Sequence, residues 1–164
     1  MSHVSEISLV SVLVRCRNDV AFLVRTLDAI AAQDCSFAHE VLVCDDGSTD
    51  GTDVLLRARP EVRLVVRPAG AYRPGRTLNA LVRAARGEIV VFNNADAVPL
   101  DCHWLANLVA PLADGSADAA AYVFPSRFEG FGLSLLEAMS ALPLAPRAGR
   151  AAERREAILI YYGV

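Results

Sequence analysis

Apolar positions fall along this chain in two alternating rhythms. Short continuous runs rich in β-branched residues read as buried strands: Ile7–Val14, Val41–Cys44, Val62–Val66 and Glu88–Phe92. Between them the apolar positions recur three or four residues apart. Phe22, Leu23, Leu27, Ile30 and Ala31 predict a helix over 20–33, with Asn18 or Asp19 as its N-cap. Residues 53–59 predict a short helix, entered through a run of Ser, Thr, Asp and Gly. Arg67–Gly75, with two Pro, two Gly and no period, predicts a loop. Leu78, Leu81, Val82 and Ala85 predict a helix over 76–85, with Gly87 as a C-cap signal. Trp104, Leu105, Leu108 and Val109 predict a helix over 101–112. Further on, 119–124 predicts a fifth strand, 133–140 a helix, and 148–157 a polar helix-prone stretch before the run ILIYY.

Strands that are apolar throughout, alternating with helices, predict an α/β fold. Its sheet is mostly parallel, with helices on both faces, in a Rossmann-like arrangement. Ligands of such sheets bind at the carboxyl ends of the strands.

Composition narrows the reading. A length of 164 residues fits one domain, and 54% hydrophobic with 21% charged residues supplies a core and excludes disorder. A net charge of −3 without a dense basic cluster argues against nucleic-acid binding. All 16 basic residues are Arg. Without lysine there is no Walker-A lysine, no Schiff base and no lysine-assisted phosphoacceptor site. No apolar run approaches the roughly 20 residues of a membrane span, and the first residues lack a signal-peptide pattern. Cys16, Cys35, Cys44 and Cys102 form no C-x-x-C pair, so buried free thiols and a cytoplasmic location are expected.

The candidate chemistry sits after the strands. Asp45-Asp46-Gly47-Ser48-Thr49-Asp50-Gly51-Thr52 follows the second strand. Helix capping and turn formation account for Ser48 to Thr52. They do not account for two adjacent carboxylates, which repel unless something faces them. After the fourth strand come Asn94 and Asp96, two apart, whose side chains share a face if the segment is extended. Such hard oxygen donors suit Mg²⁺ or Mn²⁺; an Asn/Asp turn before a helix is the plainer alternative. Between these segments, Gly75 and Arg76 open a helix whose amides and guanidinium favour a phosphate, and a solvated surface loop explains them equally well.

Taken together, VSVLVRCRND, VLVCDDGSTDGT, PGRTLN, GEIVVF and NNADAVPLDCHWL resemble the nucleotide-binding half of a family 2 glycosyltransferase, over residues 7–118. The resemblance implies a GT-A fold and a nucleotide-diphospho-sugar donor. It places Asp46 at the base or ribose with Asp45 in support, and Arg76 near the diphosphate. Asn94-Ala95-Asp96 stands at the family's D-x-D motif, with Asp96 holding a Mg²⁺ or Mn²⁺ ion. Three departures matter. Arg17 occupies the place of an aromatic residue that stacks on the base. Asn94 replaces the first Asp of D-x-D. The acceptor half with its general base is not found after residue 118, so the chain reads as truncated.

The segment after that point carries another likeness. Glu129 and Glu137 in SRFEGFGLSLLEAM resemble the E-x7-E motif of family 4 glycosyltransferases, which have the GT-B fold. There the first glutamate lies by the donor sugar and the second binds the ribose, which would make Glu129 the candidate catalytic residue. A strand, a Gly turn and an amphipathic helix that extend the sheet by one unit explain the segment as well, and so does a junction of two transferase genes.

The expected organisation is therefore a GT-A-like donor-binding domain over 1–118 and a strand–helix tail over 119–164, packed on it. The expected function is binding of a nucleotide-diphospho-sugar with a divalent metal and transfer of the sugar to a glycan or lipid-linked acceptor. The alternative is a non-catalytic sugar-nucleotide module, or an interaction fragment that pairs with a full-length transferase.

Overall fold

The structure, a computed structural model, describes residues 7–67, 69–70, 73–113, 122–123 and 157–161. Its elements are β1 (Leu9–Cys16), α1 (Val20–Ala31), β2 (Ala38–Asp45), α2 (Thr52–Arg57), β3 (Val62–Leu64), α3 (Pro74–Ala84), β4 (Ile89–Asn94), α4 (Trp104–Ala113), β5 (Tyr122–Val123) and β6 (Ala157–Tyr161). The strands form one parallel sheet in the order β3-β2-β1-β4-β6-β5.

Two cores sandwich this sheet. On one face, Val10, Val12, Val14 and Cys16 of β1 pack with Leu23, Leu27 and Ile30 of α1, Leu56 of α2, and Leu105, Val109 and Leu112 of α4. On the other, Leu13, Leu42, Cys44 and Phe92 pack with Leu78 and Leu81 of α3. Alternate residues of β1 thus serve opposite cores. This is why Leu13 is apolar as well as Val10, Val12 and Val14, while Ser11 and Arg15 stand on the Leu13 face toward the two ends of the strand.

Several boundaries differ from the pattern-based expectation. Helix α1 ends at Ala31, with Phe22 and Ala31 exposed. Its buried stripe runs instead through Leu23, Thr26, Leu27 and Ile30. Helix α3 begins at Pro74, two residues early, because proline suits a first helical position that needs no amide donor. Helix α4 begins only at Trp104: Asp101 accepts the His103 amide at 2.8 Å and forms a turn ahead of the helix. Gly87 is not a left-handed C-cap. It is required because a Cβ there would lie 2.5 Å from the Ser11 backbone nitrogen. Residues 158–161 of the run ILIYY, to which no element was assigned, form strand β6 together with Ala157, which was expected to end a helix-prone stretch; β6 pairs with β4 in register Ile89↔Ala157 through Asn93↔Tyr161. The stretches 133–140 and 148–156, expected to be helical, lie outside the described residues.

At the amino end of the sheet, Ser11 is wholly buried and hydrogen-bonded. Its Oγ donates to Glu40 Oε1 at 2.7 Å and accepts from the Gly87 amide at 2.8 Å. Glu40 also accepts the Arg86 amide at 2.7 Å and Arg63 at 3.1 Å. Burial pushes the Glu40 carboxyl up, but these bonds and the two guanidinium groups outweigh it and hold its pKa below the ordinary value.

Candidate functional site

The chain leaves β1 toward β2 on one side and returns through β4 on the other, so the strand order reverses between β1 and β4. A parallel sheet opens a crevice beyond its carboxyl ends at such a point. Here that crevice is a cleft of about 250 Å³ lined by Arg15, Cys16, Arg17, Asp19, Asp46, Asn94, Ala95 and Asp96.

Interlocked loops build its rim. Asn18 adopts φ 57°, a conformation asparagine tolerates better than most residues. From there its amide donates to Ser48 Oγ at 2.9 Å, and its Oδ1 accepts the Thr49 amide at 2.8 Å. Asp50 serves two helices at once. It accepts the Val20 amide at the start of α1 at 3.0 Å, and the Thr52 amide and hydroxyl at the start of α2 at 3.0 and 2.6 Å. Helix α1 is therefore capped from the β2–α2 loop, while Asp19 makes no side-chain cap.

The two adjacent aspartates have different tasks. Asp45 accepts the Ser48 hydroxyl at 2.5 Å and the Ser48 amide at 3.2 Å, so it shapes the turn. It lines a separate cleft of about 230 Å³ with Asp53, Leu56, Arg57 and Leu64–Val66. Asp46 faces the main cleft. Its side chain is 3% exposed, neither carboxylate oxygen has a hydrogen-bond partner among the described residues, and Arg67 forms an ion pair with it at 3.5 Å. A buried carboxylate without hydrogen bonds is costly, and such groups mark sites where a ligand completes the bonding. The Cys44 thiol is pushed up to about 11, by burial first and then by Asp46 and Asp45. Burial, aided by Asp45, Asp19 and other neighbours, raises Cys16 further still. Neither thiol is a nucleophile at neutral pH. Of the cysteines expected as buried free thiols, Cys16 and Cys44 are buried, whereas Cys35 is half-buried and Cys102 exposed.

Asn94 and Asp96 both line the cleft, but not from an extended segment. Strand β4 stops at Asn94, and the Ala97 amide bonds back to the Asn94 carbonyl at 3.1 Å, closing a turn. The buried Asn93 holds that turn, donating through Nδ2 to the carbonyls of Asn94 and Ala97, each at 2.9 Å. Thr26 of α1 donates to the Ala95 carbonyl at 2.7 Å. These two positioning residues were not foreseen. Their signals are a threonine within an apolar helix stripe and an asparagine at a strand's last buried position.

Gly75 and Arg76 lie in the first turn of α3, half-buried and exposed respectively, and are not among the residues lining the cleft. Glu129 and Glu137 fall outside the described residues. Arg15, which sequence reasoning passed over, lines the cleft beside Arg17. The signal for it is a charged residue at the end of an otherwise apolar strand.

As a metal site the cleft offers Asp96, exposed, and the Asn94 amide. No group of three His, Cys, Asp or Glu side chains gathers among the described residues. This donor set fits a hard dication only when phosphate oxygens and water supply the other ligands, as is usual for Mg²⁺.

The family model for glycosyl transferase family 2 matches residues 11–161. The chain belongs to that family. The match runs through the segment containing Glu129 and Glu137 rather than ending at residue 118. Among solved structures, this family 2 chain is similar to the mannosyltransferase PcManGT from Pyrobaculum calidifontis, in complex with GDP-Man and Mn²⁺. The identity is 33% and the TM-score 0.62, over 73% of this chain and 36% of that one. It is also similar to TarS residues 1–349 from S. aureus, with 25% identity and a TM-score of 0.60 over 74% and 37% of the two chains. A third is glucosyl-3-phosphoglycerate synthase from Mycobacterium tuberculosis in complex with UDP, with 26% identity and a TM-score of 0.61 over 73% and 46%. The chain thus spans little more than a third of the length of the first two. No curated protein matches it. Among the described residues, no helix is long and apolar enough to cross a membrane.

Proposed function

We propose that the cleft binds the nucleoside diphosphate of a sugar donor, and that the chain is the donor-binding unit of a glycosyltransferase. The observation that carries this reading is Asp46: a buried carboxylate whose two oxygens have no hydrogen-bond partner among the described residues, in a cleft it shares with Arg17, Asn94 and Asp96. Its oxygens would accept from the N–H or hydroxyl groups of the base or ribose, with Arg17 stacking on the base. Arg76, at the N-terminus of α3, would meet the phosphates only if the donor extends past the cleft as described.

A Mg²⁺ or Mn²⁺ ion would be held by Asp96 and the Asn94 amide together with phosphate oxygens, and when bound it would neutralise charge on the departing diphosphate. The complexes of PcManGT with GDP-Man and Mn²⁺ and of the mycobacterial synthase with UDP support this donor class. Transfer of the sugar, to a glycan or lipid-linked acceptor, needs a general base; among the cleft's described carboxylates Asp46 and Asp96 have donor-side roles and Asp19 accepts the Arg17 amide. Glu129 remains the candidate for that task. Binding without transfer is the second reading.

The test is calorimetric titration of the folded chain with UDP, GDP and dTDP in the presence of Mn²⁺. Saturable heat with at least one of them is expected. No heat with any of the three overturns the reading.

A further inference from the structure

We propose that the outer edge of β3 is a self-association surface, on which a second copy of this chain adds its own β3 antiparallel, across a two-fold axis at Leu64. Strand β3 ends the sheet, and among the described residues its one neighbouring strand is β2. The Val65 amide donates to the Val43 carbonyl at 2.9 Å, so the backbone of Arg63 and Val65 faces β2. Backbone groups alternate sides along a strand, which turns the amide and carbonyl of Leu64 outward. An outward row of this kind is a template for another strand. The side chains at this edge are apolar and open to solvent: Leu64 is 46% and Val66 89% exposed. With Leu56 of α2 they line the cleft that Asp45 and Asp53 border.

The residues around Leu64 complement a copy of themselves. An antiparallel pairing centred on Leu64 sets it opposite the partner's Leu64, as a hydrogen-bonded pair about 5.5 Å apart. The same register sets Val62 opposite the partner's Val66 and Glu61 opposite the partner's Arg67, each twice by symmetry. Apolar side chains therefore meet at the centre, and opposite charges meet on both flanks. Opposite charges directly across an antiparallel pair are favourable and like charges unfavourable. The Glu61 and Arg67 side chains are 48% and 40% exposed. Each has a partner within its own chain, Arg59 at 3.4 Å for Glu61 and Asp46 at 3.5 Å for Arg67. A carboxylate accepts several hydrogen bonds and a guanidinium donates five, so both have capacity for a second. An unrelated extended peptide would gain the backbone bonds but not this reciprocal match. Pro60 and Pro68 bound the segment in the sequence and donate no amide, which keeps the ladder short. The two-fold pairing uses the edge of both copies and closes at the dimer. Its small interface makes that dimer weak and concentration-dependent.

The experiment is sedimentation velocity of the full chain over a concentration series, without nucleotide. A monomer–dimer equilibrium is expected for the wild type. Leu64→Arg sets two like charges opposite each other at the axis, and is expected to weaken dimerisation by about 10-fold or more. Glu61→Arg sets arginines opposite each other on both flanks, and is expected to weaken it by about 3-fold or more. The double variant Glu61→Arg/Arg67→Glu restores opposite charges, and is expected to return to within about 2-fold of the wild type. Circular dichroism checks that each variant folds. If the double variant does not fold, Leu64→Arg decides by itself. If Leu64→Arg does not fold, Val66→Asp, at the more exposed position, carries the same expectation. A wild type that stays monomeric up to about 1 mM overturns the proposal and leaves the edge to a different chain. A folded Leu64→Arg that dimerises like the wild type, or a folded double variant as weak as Glu61→Arg, also overturns it.

Discussion

Asp46 and Gly87 show how differently single residues serve this molecule. Asp46 is buried and charged, with Arg67 as an ion-pair partner at 3.5 Å and no hydrogen bond to its carboxylate among the described residues. Asp46→Asn removes the charge with little change of shape. It is expected to leave the melting temperature level or raise it, while weakening nucleoside diphosphate binding by about 10-fold or more. Thermal melting and calorimetry on the same sample check both halves. A variant that melts well below wild type would make Asp46 a structural residue instead. Gly87 is the opposite case. A methyl group there meets backbone atoms of β1, which cannot yield, so Gly87→Ala is expected to cost about 1–3 kcal/mol in chemical denaturation and to leave the cleft chemistry intact. The sequence announced Asp46 clearly, because turn formation explains one carboxylate after β2 and not two. It misassigned Gly87, because a glycine after a helix looks the same whether it ends the helix or lets a strand pass close by.

At the scale of elements, the β–α units were legible because β1, β2 and β4 feed both cores and α1, α3 and α4 carry a buried apolar stripe. The capping partners were not. Helix α1 takes its cap from Asp50, thirty residues on, and α4 takes its own from Gln33 at the far end of α1. Gln33 donates to the Ala29 and Asp101 carbonyls at 2.9 and 2.7 Å and accepts the Leu105 amide at 2.8 Å. It thereby fastens α4 to α1. Gln33→Ala is expected to destabilise the fold by about 1–2 kcal/mol, seen as a lower denaturation midpoint with an unchanged slope. Such bonds between distant loops leave no periodic trace in the sequence. The turn at Asn94–Ala97 is a second example. Its extended reading followed from i, i+2 spacing, and the buried Asn93 side chain together with Thr26 replaced it with a tight bend. Strand β6 was missed because ILIYY is too short to reveal by pattern alone that it pairs beside β4.

For the whole molecule, the two ends of the sheet divide the work. The amino end is closed by the part-buried network of Ser11, Glu40, Arg63 and the Gly87 amide, and the carboxyl end is open at the cleft. Glu40 has a lower pKa folded than unfolded. Its contribution is therefore present above the unfolded carboxylate value and lost as pH falls through the folded one. Melting temperature is expected to fall as pH drops below about 4.3, the ordinary value for glutamate, and Glu40→Gln is expected to flatten that part of the profile. The central claim is that a nucleoside diphosphate sits where the strand order reverses. It is tested most directly by titrating UDP or GDP into the ¹⁵N-labelled chain and mapping the amide shifts. The account predicts that shifts concentrate at Arg15–Asn18, Asp46 and Asn94–Ala97. Shifts confined to the amino end of the sheet or to the β3 edge at Leu64–Val66, or no shifts at saturating nucleotide, would contradict it.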